Sequence, residues 1–294
     1  MPPPQMSNHP DISPLKPTDL GSAQALVVEA GWNQVPADWE IFLALGHALK
    51  IENPAGGLDA TAATLPYAGG FGWLSMVLVT TAKRRQGLAT HLLGRCIAGL
   101  RESNLISVLD ATPAGRAVYR GLGFADGWPI SRWVRAPLGA GAAAEPAPPM
   151  IHGLRRMLEQ DLATVARFDA NAFGCQRGEL LTRLYARSAD IACLAESGGN
   201  LTGYLLGRNG RNADQIGPLV AHDAPTAIAL LDHAIARRHG ALLIDVLDRH
   251  AAMAAALTRR GFTIQRPYTR MTLDRTMPFG DDHLMIAIAG PELG

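Results

Sequence analysis

The residues best placed to do chemistry are Arg84, Arg85, Gln86, Gly87, Leu88, Ala89 and Thr90, a basic turn that joins an apolar run to an amphipathic pattern. Residues 73–79 are almost unbroken apolar sequence, long enough for a buried strand and short for a helix. From Leu88 the apolar side chains fall at Leu88, Leu92, Ile97 and Leu100, close to helical spacing. The first N–H groups of such a helix have no internal partner, and its dipole favours an anion there, most often a phosphate. Gly87 lets backbone approach a ligand closely, and the two arginines add charge at the rim. The stretch reads as a pyrophosphate cradle, although an ordinary strand, basic turn and helix share the local pattern. A second apolar strand over residues 105–110 ends at Asp110, where parallel sheets place ligand groups. That carboxylate can bind or deprotonate an amine, or cap the next turn.

These residues need a fold that presents strand ends and helix starts together. Strand, helix and strand over residues 73–110 imply a right-handed parallel crossover. Helical patterns over residues 22–30 and 39–50 precede it, then strand segments between 51 and 67. The length of 294 residues suits two domains, and 27 basic against 26 acidic residues give no general attraction to nucleic acid or a membrane surface. A mean hydropathy of +0.06 fits a soluble chain. The three cysteines, Cys96, Cys175 and Cys193, are scattered and odd in number, which suits a reducing cytoplasm better than a disulfide framework. Residues 1–17 form a Pro-rich tail without the apolar core of a signal peptide, and no run approaches membrane-spanning length. Histidines are dispersed, so no metal site is expected. The Gly-x-x-x-x-Gly-Lys and Gly-x-Gly-x-x-Gly patterns of ATPases and dehydrogenases are missing.

Arg84-x-x-Gly87-x-Ala89, shortly after a strand ending at Val79, resembles the acyl-CoA-binding motif Gln/Arg-x-x-Gly-x-Gly/Ala of the GNAT N-acyltransferase superfamily. The resemblance implies that backbone groups of Val77, Leu78 and Val79 pair with the pantetheine arm of acetyl-CoA, and that residues 84–90 hold its pyrophosphate. Tyr119 stands shortly before a Gly-Phe pair, Gly123-Phe124, and matches the family tyrosine that protonates the departing thiolate. A phenol beside the sulfur can donate as the C–S bond breaks. A tyrosine simply packed on the sheet fits the same position. The first two helices of that fold line the acceptor pocket, which here points to Trp32, Asn33, Gln34, Asp38 and Trp39. Two tryptophans in this segment suit an aromatic-walled pocket for a cationic molecule, or else a small core.

A repeat runs through the chain. Leu105-Ile-Ser-Val-Leu-Asp110 returns as Leu243-Ile-Asp-Val-Leu-Asp248, an offset of 138 (248 − 110) that also maps Leu92-Leu93 onto Leu230-Leu231 and Gly123-Phe124 onto Gly261-Phe262. The expected architecture is α/β with a mixed sheet, as two tandem GNAT folds: residues 18–135, a linker of Ala, Pro and Gly over 136–150, and residues 151–294. The second copy reads as helix 155–173, helix 179–187, strands 191–196 and 201–208, helix 225–239 and a final strand near 284–288. In it Arg84 becomes His222, Arg85 becomes Asp223, Gly87 becomes Pro225 and Tyr119 becomes Leu257. An acidic residue at the helix start repels phosphate and proline removes a donor, so this copy is expected to be degenerate. The expectation is an acetyl-CoA-dependent N-acetyltransferase acting on a small-molecule or peptide amine, the alternative an acyl-CoA-binding sensor or scaffold without catalysis.

Overall fold

The computed structural model describes residues 10–137 and 153–294. Residues 1–9 of the tail expected over 1–17, and 138–150 of the expected linker, lie outside the described residues; the rest of the expected tail is tied down, with Ser13 and Pro14 paired to Lys50 and Leu49 and Leu15 buried in the core. The first half runs β1 (Ser13–Pro14), α1 (Leu20–Glu29), α2 (Pro36–Leu45), β2 (His47–Glu52), β3 (Leu58–Tyr67), β4 (Phe71–Val79), α3 (Leu88–Glu102), β5 (Ile106–Ala111), α4 (Pro113–Gly121) and β6 (Phe124–Arg135). The second half runs β7 (Leu154–Arg156), α5 (Leu162–Phe173), α6 (Gly178–Arg187), β8 (Cys193–Ser197), β9 (Asn200–Arg208), β10 (Asp214–Ala221), α7 (Ala224–Ile235), β11 (Leu242–Leu247), α8 (Ala251–Arg259), β12 (Thr263–Leu273) and β13 (Met285–Ala287). The repeat survives in space, because α4 and α8 start 138 residues apart, at Pro113 and Ala251.

Two helical expectations need correction. The pattern over 39–50 is split at Gly46, which caps α2 and lies so close to the Thr64 carbonyl that a Cβ would collide with it. Beyond this glycine the chain enters strand β2, paired antiparallel with β3. Likewise Arg155 and Arg156, read as the start of a helix, belong to the edge strand Leu154–Arg156 against β8.

The strands form one 13-stranded sheet in the order β1-β2-β3-β4-β5-β12-β6-β11-β13-β10-β9-β8-β7. The halves exchange their last long strands. β12 of the second half lies against β5 of the first, Thr269 opposite Ala111, and β6 of the first lies against β11 of the second, Leu242 opposite Arg135. β6 and β12 also pair with each other down the middle. A boundary at residues 136–150 therefore divides the sequence but not the sheet. Each exchanged strand carries a buried arginine at the same repeat position. Arg132 of β6 grips Asp245 at 2.7 Å through two nitrogens, and Arg270 of β12 grips Asp110 at 2.9 Å in the same way. The register of the exchange is thus written in planar, bidentate ion pairs.

Candidate functional site

The parallel pair β4–β5 is hydrogen-bonded over Phe71 to Trp73 opposite Ile106 to Val108, and then parts. A bulge accompanies the parting: on β4, Met76 takes φ +51°, and its carbonyl accepts from Thr61 Oγ at 2.9 Å while the register against β3 shifts. The opening leads into a cavity of about 230 Å³ bordered by Leu74 to Val77 of β4, the first turn of α3, the end of β5, α4, and side chains from the second half. The free edge of β4 is therefore centred on 74–77. Of the expected trio, Val77 borders the cavity; Leu78 and Val79, which like Leu74 and Ser75 pair with β3 along the opposite edge, do not border it.

The turn leading into α3 takes the shape its residue types require. Gly87 stands at the start of α3 with φ +83°, and Arg85 beside it is also left-handed at φ +61°, so the turn exposes the helix start rather than burying it. Arg84, Arg85, Gln86 and Thr90 are exposed, Leu88 packs inward, and Ala89 borders the cavity. Glu29 at the end of α1 steadies the approach, since it accepts from the Thr81 amide at 2.6 Å and from Thr80 Oγ at 3.2 Å. Those hydrogen bonds hold its carboxyl below the usual range.

Tyr119 borders the same cavity. Thr112 caps α4 by accepting from the Gly115 amide at 3.2 Å, and Gly115 leaves room for the ring, since a Cβ there would stand 2.9 Å from Tyr119 Cε2. The ring meets Phe124 edge-on at 5.9 Å. Burial pushes the phenol up to about 12, so it carries its proton at neutral pH and can donate it. Asp110 also borders the cavity, but both of its carboxylate oxygens accept from Arg270. The carboxylate expected to bind or deprotonate an amine is thus held in a buried ion pair, and burial, the largest influence on it, raises its pKa against the lowering effect of Arg270.

The α1–α2 loop divides the same way. Trp32, Asn33 and Gln34 border the cavity. The Asn33 amide is nonetheless committed across the halves, donating to the Ala213 carbonyl at 2.9 Å and accepting from the Asn212 and Ala213 amides. Asp38 and Trp39 do not reach the cavity. Asp38 caps α2 through the Val35 amide at 2.8 Å and pairs with Arg187 at 2.6 Å and Arg208 at 3.1 Å, while Trp39 is wholly buried against Phe42. Sequence reasoning missed Ser75, Arg266, Tyr268 and Glu292, which complete the wall. Three of these come from the second half, where only the strand exchange brings them near.

The second half has the same parting and a different filling. β10 and β11 pair in parallel from Asp214 opposite Leu242 to Ile216 opposite Ile244, and then β13 enters the wedge. It bonds to β10 on one side and to β11 on the other, with Met285, Ile286 and Ala287 buried. The helix start is closed too: Asp223 accepts from the Thr226 amide at 2.8 Å, and proline stands in the first turn. Asp223→Ala is expected to destabilise the protein by about 1 kcal/mol in urea denaturation, the usual worth of such a cap, with the first-half cavity unaffected.

Among the described residues no group of three or more His, Cys, Asp or Glu could hold a metal ion, and no helix is long and apolar enough to cross a membrane.

Comparisons with known proteins agree with this geometry. The model of the acetyltransferase (GNAT) family matches residues 24–124, and that of an acetyltransferase (GNAT) domain matches residues 165–285. An uncharacterized N-acetyltransferase of Bacillus subtilis, YitH, is 24% identical over 217 residues, 74% of each chain. A putative acetyltransferase from Pyrococcus horikoshii superposes with a TM-score of 0.77 at 20% identity, covering 97% of this chain and 95% of its own. A tandem GNAT protein from the clavulanic acid biosynthesis pathway superposes at 0.62 with 14% identity, covering 89% and 97%. At these identities the superpositions speak for the fold.

Proposed function

Because the chain belongs to the GNAT acetyltransferase family, with one domain of that family in each half, we propose that it transfers an acetyl group from acetyl-CoA to an amine at a single site, in the first half. The observation that carries this reading is the contrast between the two wedges: β4 and β5 part around an open cavity, while β10 and β11 part around β13. Only the first wedge opens beside an uncapped glycine start and a protonated tyrosine. The residues present suit the donor. The free edge of β4 offers backbone groups to an extended amide chain, and the start of α3 with Arg84 and Arg85 offers N–H groups and charge to a pyrophosphate. An amine nitrogen then attacks the thioester carbon directly, a β4 amide polarises the carbonyl, and Tyr119 supplies the proton that leaves with sulfur.

Calorimetric titration of acetyl-CoA tests the donor site. One site per chain is expected for the wild type, with affinity at least tenfold weaker in an Arg84→Glu, Gly87→Asp double variant, where charge is reversed and the left-handed turn is strained. No binding to the wild type would sink the reading. Two sites per chain would mean that β13 leaves its wedge.

A further inference from the structure

The chain from β13 onward does two things. Having filled the wedge of the second half, it crosses to the cavity of the first, where Pro291 and Glu292 form part of the wall. Both halves pin it there. Trp73 Nε1 donates to the Pro291 carbonyl at 2.9 Å and Tyr67 Oη to the Leu293 carbonyl at 2.8 Å, from the first half. From the second, Arg177 donates to the Gly294 carbonyl at 2.7 Å and Arg208 to the Ala289 carbonyl. Glu292 is 3% exposed; its Oε1 accepts from Arg208, and its Oε2 is buried with no hydrogen-bond partner.

Three other cavity residues share that condition: Gln34 Oε1, Ser75 Oγ and Arg266 Nε are also buried and unpartnered. Buried polar atoms are almost always satisfied, so three orphaned oxygens against one orphaned N–H around one cavity point to a ligand with more donors than acceptors. An ammonium group carries three donors and no acceptor. Resting on the transferase reading above, we propose that Glu292 anchors the acceptor's ammonium group and takes its proton, and that the acceptor is a small primary amine. The second half thus supplies a catalytic residue to the first.

The charged and titratable groups around Glu292 are Arg208 on β9, Asp38 on α2, Arg132 on β6, Arg266 and Tyr268 on β12, Asp110 on β5 and Tyr119 on α4. Arg132 and Asp110 are each held in an ion pair, whereas Oε2 of Glu292 is the cavity carboxylate oxygen that has no hydrogen-bond partner. In the step, the ammonium passes one proton to Oε2, and the freed lone pair attacks the thioester carbon. The C–N bond forms, the C–S bond breaks, and Tyr119 protonates the sulfur. The second nitrogen proton restores the phenol through solvent, and Glu292 returns its proton to water.

The test uses the full chain and monitors thiol release from acetyl-CoA with glycine, putrescine, glucosamine and the dipeptide Ala-Lys. Glu292→Gln is expected to lower kcat/KM at least a hundredfold for every accepted amine and to remove the acid limb of its pH profile, with acetyl-CoA affinity within twofold of wild type. A merely structural glutamate would leave that limb in place. If loss of the Arg208 partner unfolds this variant, Glu292→Asp keeps the charge and withdraws Oε2, and a fall of at least tenfold is expected. Wild-type turnover that both folded variants reproduce within twofold overturns the role of Glu292 and leaves the transferase standing. No amine-dependent release from a wild type that binds acetyl-CoA overturns the transferase reading, and this proposal with it.

Discussion

Replacing Tyr119 with Phe is expected to lower kcat by about 10²–10⁴-fold, the usual worth of a positioned proton donor, while acetyl-CoA affinity stays within a few-fold of wild type. The effect is differential. The ring packs edge-on against Phe124 and fills the space that Gly115 leaves, and phenylalanine keeps all of that. What it loses is a proton needed only once negative charge gathers on sulfur. An interaction made only in the transition state appears in kcat and not in ground-state binding. Since burial pushes the phenol up to about 12, the donor form persists through the neutral range, and activity falls only as the pH climbs towards that value. Steady-state kinetics with calorimetry checks this. Unchanged kcat would mean that solvent protonates the thiolate and that Tyr119 is a packing residue.

The turn at the start of α3 was legible because its geometry is local: a glycine, two arginines and a helical pattern are contiguous, and a helix start needs no distant partner to expose N–H groups. The repeat was legible for a related reason, since a constant offset of 138 residues shows without knowing which strand pairs with which. The same register exposed Asp223 and Pro225 as a closed helix start, and the Asp223 cap is as expected. The expected acceptor residues were only half legible. Trp32 and Gln34 border the cavity, but Asp38 and Trp39 belong to α2, where one caps the helix and pairs with two arginines while the other fills the core. Nothing in a tryptophan's identity says whether it faces core or cavity. The strand exchange was illegible because β6 and β12 are two versions of one strand, and either could pair at home. Glu292 was hidden with it, since it reaches the cavity of the first half from a segment with no motif of its own. One signal did exist: Arg132 and Arg270 stand 138 apart, two arginines in otherwise strand-like sequence, and buried arginines demand acidic partners.

That pair yields the largest stability effect. Arg270→Ala is expected to cost about 3–5 kcal/mol, because it leaves the Asp110 carboxylate buried without its counter-charge. In a protein of this size each kcal/mol moves Tm by roughly 2–4 °C, so a drop of about 10 °C is expected by calorimetry. The consequence should extend to chemistry. Asp110, next to last in β5, stands two residues before the Thr112 cap that starts α4, and α4 carries Tyr119. Loosening the β5–β12 register therefore loosens the proton donor as well as the exchanged strand. The double change Asp110→Leu with Arg270→Leu separates the two roles. Replacing a buried ion pair by apolar residues of similar volume is often neutral or stabilising, so Tm should recover towards wild type. If activity recovers with it, Asp110 serves only to hold the exchange. If Tm recovers while kcat stays low, the Asp110 carboxylate takes part in the reaction as well.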